Sequence, residues 1–319
     1  MAWIVYYLMK CLVTGGAGFI GSHLCERLLM DGHDVVALDN LLTGSTKNLT
    51  SFIHNPHFLF IQHDVIQPFP ETIGKCEALF HFASPASPPK YQKYQIETLR
   101  VNTQGTYVLL EKAVADKAMF IYASTSEVYG DPLEHPQKET YWGNVNPNGK
   151  RSCYDEGKRA GEAFVAAYAR TRSLDTRIIR IFNTYGPRMD IDDGRVVTNF
   201  IKQALRSEQL TLYGDGNQTR SYCYISDLVE GIVKVFQEPK MKNEIVNLGN
   251  TEEKTVEELA HLICTLTRTH STLVHGELPE DDPSRRRPDL TKAETLLGWE
   301  PRISLEEGLT MTINHFKEQ

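Results

Sequence analysis

Cys11-Leu12-Val13-Thr14-Gly15-Gly16-Ala17-Gly18-Phe19-Ile20-Gly21 is the run on which the reading of this chain turns. A short apolar strand, Cys11 to Thr14, passes into glycines spaced G-x-x-G-x-x-G at positions 15, 18 and 21. Ile20, Leu24 and Leu28 then recur every four residues, which predicts a helix with one buried stripe. The first glycine permits a tight turn, the second lets backbone N–H groups approach a pyrophosphate, and the third lets helix pack on strand. Strand before and helix after separate this run from an ordinary glycine-rich turn and point to a dinucleotide.

Val35 to Asp39 reads as a second strand ending in an acid, 18 residues beyond Gly21. A carboxylate there accepts hydrogen bonds from the adenosine ribose and repels a 2′-phosphate, which favours NAD over NADP. Asn40 beside it also suits a turn. Phe58 to Val65 reads as a third strand, with Asp64 at its end as an adenine contact, and Ala78 to Ala83 as a fourth. His81 is expected to be a buried strand histidine. Ser84-Pro85-Ala86-Ser87-Pro88-Pro89 is expected to stay extended and non-helical. A long helix is predicted from Ile96 to Ala115, with Leu99, Val101, Leu109 and Leu110 among its apolar residues. A fifth strand, Ala118 to Ala123, leads into Ser124-Thr125-Ser126-Glu127-Val128-Tyr129-Gly130. If the backbone stays extended, Thr125 and Glu127 point to one side, at the strand end where doubly wound sheets bind ligands.

A Pro-, Asn- and Gly-rich loop from Asp131 to Arg151 precedes Cys153-Tyr154-Asp155-Glu156-Gly157-Lys158-Arg159. On a helix Tyr154 and Lys158 share a face. A free phenol titrates near ~10, so a base working near neutrality needs a shift of about 3 units, roughly 4 kcal/mol. An ammonium about 4 Å away at an effective dielectric of about 20 supplies roughly that much. Beyond a sixth strand, Thr176 to Asn183, helices are predicted at 199–206, 226–236 and 256–267 and strands at 210–213 and 244–248. Gly214 to Arg220 reads as a polar loop, and Glu280 to Pro288 as a charged, solvated one.

The net charge of −7 argues against nonspecific nucleic-acid binding, so an anionic substrate must be met by local arginines. The six cysteines form no C-x-x-C pair and read as reduced thiols in a cytosol, with no metal site. Residues 1–9 are apolar but too short to span a membrane; they extend the first strand or precede a true start at Met9-Lys10. Without signal or anchor, a cytoplasmic protein is expected. There is no internal repeat, and no linker cleanly separates two domains.

The Gly15–Gly21 run, Asp39, Ser124 to Gly130, Tyr154/Lys158 and Leu297-Gly298-Trp299-Glu300-Pro301 together resemble the extended short-chain dehydrogenase/reductase family over nearly the whole chain. The resemblance implies an α/β fold: a Rossmann doubly wound parallel sheet with a smaller mixed α/β C-terminal substrate-binding region. It divides the chain into an NAD-binding domain, 1–183, and a nucleotide-sugar-binding region, 184–319, with interleaved segments. Ser84 to Pro89, Ser124 to Pro132, Cys153 to Arg159 and Ile181-Phe182-Asn183-Thr184-Tyr185-Gly186-Pro187-Arg188-Met189 are most similar to the branch that decarboxylates UDP-glucuronate to UDP-xylose and CO2. The 4,6-dehydratases of the family carry Asp-Glu after the threonine, and the 4-epimerases usually a small residue where Glu127 stands; here Ser126 and Glu127 fit the decarboxylases. The alternatives are a 4-epimerase or 4,6-dehydratase and, more remotely, a non-catalytic NAD-sensing protein.

The resemblance implies that Tyr154, with its pKa lowered by Lys158 and the nicotinamide cation, takes the proton of the sugar 4-hydroxyl as hydride passes from C4 to NAD+. Thr125 hydrogen-bonds the 4-oxygen. The C4 ketone makes the β-carboxylate labile, the ketone rather than a metal being the electron sink; a proton returns to C5 and the retained NADH reduces C4. Glu127 positions the ring or a water. NAD is held by Gly15, Gly18, Phe19, Ile20, Gly21, Asp39, Asn40, Asp64, Val65, Ser84, Tyr154 and Lys158. Arg195 and Arg220 bind the UDP diphosphate, with Asn183 and Tyr213 also on the substrate side and Arg100 where some relatives have Lys. Arg286 matches an arginine associated with decarboxylation, stabilising enolate charge; Arg285 and Arg287 remain open alternatives. Animal relatives carry a membrane anchor that this chain lacks, and a homodimer through the helices after the fourth and fifth strands is implied.

Overall fold

The computed structural model describes residues 8–278, 280, 283 and 285–318. The reading of residues 1–7 as a strand extension lies outside the described residues. The first half runs β1 (Lys10–Thr14), α1 (Phe19–Met30), β2 (Asp34–Asp39), β3 (Phe58–Gln62), β4 (Ala78–His81), α2 (Pro88–Lys93), α3 (Gln95–Arg100), α4 (Thr106–Asp116), β5 (Met119–Thr125), α5 (Ser152–Arg172) and β6 (Thr176–Ile181). The second runs β7 (Thr184–Tyr185), α6 (Val196–Leu205), β8 (Leu210–Tyr213), β9 (Thr219–Ser221), β10 (Cys223–Tyr224), α7 (Ile225–Gln237), β11 (Glu244–Leu248), β12 (Glu253–Thr255), α8 (Val256–Thr267), β13 (Leu273–Gly276), β14 (Arg285–Arg286), α9 (Thr291–Leu297) and α10 (Leu305–Lys317).

Seven strands form one parallel sheet in the order β11-β6-β5-β4-β1-β2-β3. A parallel sheet covered on both faces needs strands that are apolar throughout, and β1 shows how. Cys11 and Val13 enter one core while Leu12 enters the other. On β5, Ile121 joins the first core and Phe120 and Tyr122 the second. The strand order reverses between β1 and β4, which opens a crevice at their carboxyl ends. β11 comes from the second half of the chain and pairs with β6 from Glu244↔Arg177 to Leu248↔Ile181.

Several boundaries differ from the sequence expectation. β3 stops at Gln62 and β4 at His81, so Asp64, Val65 and Ala83 lie in loops at the sheet edge. Pro88 and Pro89 open helix α2 instead of blocking it, because the first helical turn has no use for their missing N–H. The predicted helix 96–115 is interrupted by a π-helical stretch, Val101–Gly105, where Asn102 turns to donate to Ser84 Oγ at 2.9 Å. Leu99 in α3 is 44% exposed rather than buried. The backbone does not stay extended after β5: Ser126–Tyr129 is a 3-10 turn, capped by the Thr125 hydroxyl accepting from Glu127 N at 3.2 Å. Ile20 is half-buried and faces the crevice, while Leu24 and Leu28 enter the core. Thr219 and Arg220, read as loop, belong to β9. Arg285 and Arg286, read as a solvated loop, form β14 beside it with Arg286 opposite Arg220.

Candidate active site

One cleft of about 1480 Å³ runs along the carboxyl ends of the central strands. That exceeds the usual small-molecule pocket and suits two nucleotide-sized ligands side by side. The candidate residues named from the sequence line it, except Arg285 and Arg287, the alternatives to Arg286.

The β1–α1 turn makes one wall. Gly15 sits at φ +72°, and a Cβ on Gly21 would come 2.1 Å from the Gly15 carbonyl oxygen. Side chains there are sterically forbidden, so the backbone is free to approach a phosphate. Phe19 and Ile20 open α1 at the cleft edge. At the end of β2 the Asp39 carboxylate accepts from Ala17 N at 3.0 Å and Leu41 N at 2.8 Å. Burial pushes its pKa up, against these backbone donors. Gly44, missed in the sequence, leaves room for it: a Cβ there would lie 2.8 Å from an Asp39 oxygen. Asn40 donates to Asp64 at 3.2 Å, Val65 is buried beside them, and Ser84 receives Asn102. These residues fit NAD: a glycine cradle for the pyrophosphate and a carboxylate at the ribose position.

β5 and α5 make the catalytic end. Thr125 ends β5, and α5 carries Tyr154 and Lys158 inward, 6% and 3% exposed. Lys158 Nζ donates to Ala123 O at 2.7 Å and stands 5.9 Å from the Tyr154 ring centroid. Burial lowers the Lys158 pKa to about 7. Burial also pushes the Tyr154 phenol up, opposed by a hydrogen bond with the Thr125 side chain. The expected lowering of Tyr154 by Lys158 is therefore overturned for the protein's own groups. Desolvation disfavours the charged form of each residue, and for Tyr154 it outweighs the Thr125 hydrogen bond. His81 is a buried strand histidine as expected, its Nδ1 2.9 Å from Thr14 Oγ1 and its pKa lowered by burial to about 3. Cys153 is buried with its Sγ donating to Tyr91 O at 3.6 Å, and burial raises its thiol pKa.

Glu127 receives two guanidiniums, from Arg151 and Arg286. Burial would raise its pKa, but the two cations override burial and hold it well below the ordinary carboxylate range. Arg286 is 2% exposed and also donates to Gly130 O at 2.9 Å. Arg285 is exposed and Arg287 half-buried, so Arg286 is the one brought to Glu127. Its segment is fastened by Gln137, whose N donates to Arg287 O and whose side chain accepts from Arg287 N, both at 2.9 Å. Arg151 and Gln137 were missed; each lies in the irregular loop, where no periodicity marks a buried residue. Asp155 is buried beside this group and its pKa rises, chiefly by burial and then by Glu127.

Toward the second half, Arg195 pairs with Asp193 at 2.5 Å, and Arg220 is 7% exposed with Nη1 donating to Thr219 O at 2.9 Å. Asn183 follows β6, and Tyr213 ends β8, 47% exposed. Arg100 lies at the exposed rim, bonded to Gln104 at 3.1 and 3.2 Å.

The crevice at the reversal of a parallel sheet, a glycine cradle and a buried Thr/Tyr/Lys set together define a nicotinamide-dependent enzyme of the short-chain type. The chain belongs to the NAD dependent epimerase/dehydratase family, whose model matches residues 11–249. It is 50% identical over 313 residues to UDP-glucuronic acid decarboxylase 1 of Danio rerio, covering 97% of this chain and 73% of that protein. It is 48% identical to UDP-glucuronic acid decarboxylase 4 of Arabidopsis thaliana, over 98% of this chain and 69% of that one. Among solved structures, UDP-glucuronic acid 4-epimerase from Bacillus cereus, in complex with UDP-glucuronic acid and NAD, superposes with a TM-score of 0.89 at 30% identity, covering 97% of this chain and 99% of that one. No helix among the described residues is long and apolar enough to cross a membrane.

Proposed function

We propose that the protein converts UDP-glucuronate to UDP-xylose and CO2 with retained NAD. The observation that carries this reading is Glu127 held ionised between Arg151 and Arg286 beside Thr125 and Tyr154. Decarboxylase relatives at about half identity support it. Gly15, Gly18, Phe19, Ile20, Gly21, Asp39, Asn40, Asp64, Val65 and Ser84 hold NAD, which supplies a reversible hydride acceptor for the sugar C4. Tyr154 takes the proton of the 4-hydroxyl, and Thr125 holds that oxygen. Lys158, poised near neutrality, anchors to β5 and steadies the phenolate as it forms. Arg286 meets the carboxylate end of the sugar and stabilises the enolate that CO2 loss leaves; holding the ground-state carboxylate more tightly than the enolate would oppose the reaction. Glu127 sets the position of Arg286. Arg195 and Arg220 take the diphosphate, with Asn183, Tyr213 and Arg100 along the rest of the substrate.

Ser126 stands where the dehydratases carry the acid that expels a C6 hydroxyl, which disfavours dehydration. Incubation with UDP-glucuronate tests the reading: UDP-xylose and CO2 are expected, and UDP-galacturonate without CO2 would instead make it a 4-epimerase.

We also propose a domain division near residue 183, a cytoplasmic setting and a homodimer. The six cysteines are free, as in reducing compartments. Ile96, Leu99, Tyr107 and Phe164 are 72%, 44%, 47% and 36% exposed on α3, α4 and α5, an apolar face suited to a second copy. Sedimentation of the pure protein as a monomer would remove the dimer.

A further inference from the structure

Reprotonation of C5 needs an acid, and none of the residues assigned above is free for it; Asp155, the protonated carboxyl buried beside Glu127, does not line the cleft. Glu127, ionised between two guanidiniums, only accepts hydrogen bonds. The proton that Tyr154 takes from the 4-hydroxyl is the one the C4 oxygen needs back. Thr125 is taken up by the 4-oxygen, and its hydroxyl also accepts from Glu127 N at 3.2 Å.

Tyr91, one turn into α2, has not been used. It lines the cleft and is 1% exposed. Its ring stacks on Tyr154, centroids 5.1 Å apart and planes 3° from parallel. Its backbone is pinned to the catalytic helix, its carbonyl accepting from Cys153 Sγ at 3.6 Å. Yet its hydroxyl is buried with no hydrogen-bond partner among the described residues. A buried hydroxyl without a partner costs free energy that a phenylalanine would not. The ring accounts for the packing, and the hydroxyl has no structural task. Burial, aided by Glu127, keeps the phenol protonated at neutral pH, while Arg151 acts in the opposite sense and favours the charged form.

We propose that Tyr91 is the acid that returns a proton to C5 after CO2 leaves, an assignment that rests on the decarboxylase reading. With C4 at the ketone level, the bond from C5 to the carboxyl carbon breaks, CO2 departs, and the electron pair enters the enolate. The Tyr91 O–H bond then breaks. The enolate pair forms the new C5–H bond, the C4 carbonyl is restored, and the phenolate, eased by Arg151, recovers its proton from water admitted as the product leaves.

Tyr91→Phe keeps the stacked ring, so it is expected to fold with a Tm no lower than the parent's. The parent with bound NAD yields CO2 and UDP-xylose from UDP-glucuronate in equal amounts. Tyr91→Phe is expected to form UDP-xylose about 100-fold more slowly. In the single turnover that its bound NAD supports, CO2 release falls far less, and UDP-4-keto-pentose and reduced-nicotinamide absorbance build up together. Ser87→Ala, which removes the other unpartnered hydroxyl of the α2 turn, is expected to keep the two products equal. Equal CO2 and UDP-xylose from Tyr91→Phe overturn the assignment, and so does a parallel fall in both, which would place the hydroxyl before CO2 loss. Uncoupling by Ser87→Ala or Glu127→Gln in place of Tyr91→Phe also overturns it. A parent that releases no CO2 overturns the decarboxylase reading itself, and that result is seen before any variant is made.

Discussion

On the wall of the cleft formed by β1, α1 and β2, everything that would meet the cofactor comes from neighbouring sequence. Gly15 to Gly21 are one turn, and Asp39 ends the next strand. On the facing wall, Glu127 meets Arg151 across 24 residues and Arg286 across 159. The first wall works through backbone and the absence of side chains; the second works through buried charges that neutralise one another. A substitution on the first wall is therefore a local steric event. On the second it leaves a charge without its partner, and the cost spreads to every segment that the charge was holding.

The largest effect is expected where the two walls meet. Tyr154→Phe removes the proposed base, and turnover should fall about 1000-fold, within the range of lost acid–base catalysis. NAD content of the purified protein should match the parent's, since the cradle is untouched; turnover near the parent rate would remove Tyr154 as the base. Arg286→Gln comes next. CO2 release should slow about 100-fold through lost charge stabilisation, and denaturant unfolding should show a loss of about 3 kcal/mol from the broken buried pair. An unchanged midpoint and rate would show that Arg151 alone suffices for Glu127.

Gly21→Val tests the other wall. Its side chain starts 2.1 Å from the Gly15 carbonyl oxygen, so about 1–3 kcal/mol of stability should be lost by overpacking, with less NAD retained on purification. Full NAD retention would contradict the cradle. The smallest effect concerns Asp155, whose pKa is raised to about 8 from 3.8. Above about pH 4 the unfolded chain releases a proton that folded Asp155 keeps, so stability falls as pH rises toward about 8. Lys158 acts in the opposite sense, but only between about 7 and 10.5. Between about pH 5 and about pH 7 buried His23 and His81, lowered to about 4 and about 3, also act in the opposite sense, so the Asp155 effect is read as the difference between parent and variant. Asp155→Asn should gain Tm relative to the parent across that window, measured by thermal scans; a constant difference would show that Asp155 is not held protonated.

The contrast between the walls also explains what could be read in advance. The strand–glycine–helix run, Asp39 and the Tyr154/Lys158 spacing are local patterns, and local patterns survive in a linear chain. Tyr91 escaped notice because two prolines before it suggested extended backbone, whereas they start a helix. Arg151 and Gln137 escaped because irregular loops have no period from which burial can be inferred. The extended backbone expected through Thr125 to Glu127 failed because Thr125 caps a 3-10 turn, a competition of side chain against strand that propensity does not reveal.

From residue order alone came the alternation of strands and helices, the glycine run, the preference for NAD and the Tyr154/Lys158 spacing, because each depends on neighbours within a few residues, whereas Thr125 was reached through the family resemblance. Tertiary structure alone decided which of three consecutive arginines faces the cleft, that Glu127 has two cationic partners, and that burial raises the Tyr154 phenol. Desolvation and charge pairing depend on what is near in space, and those neighbours stand far apart along the chain.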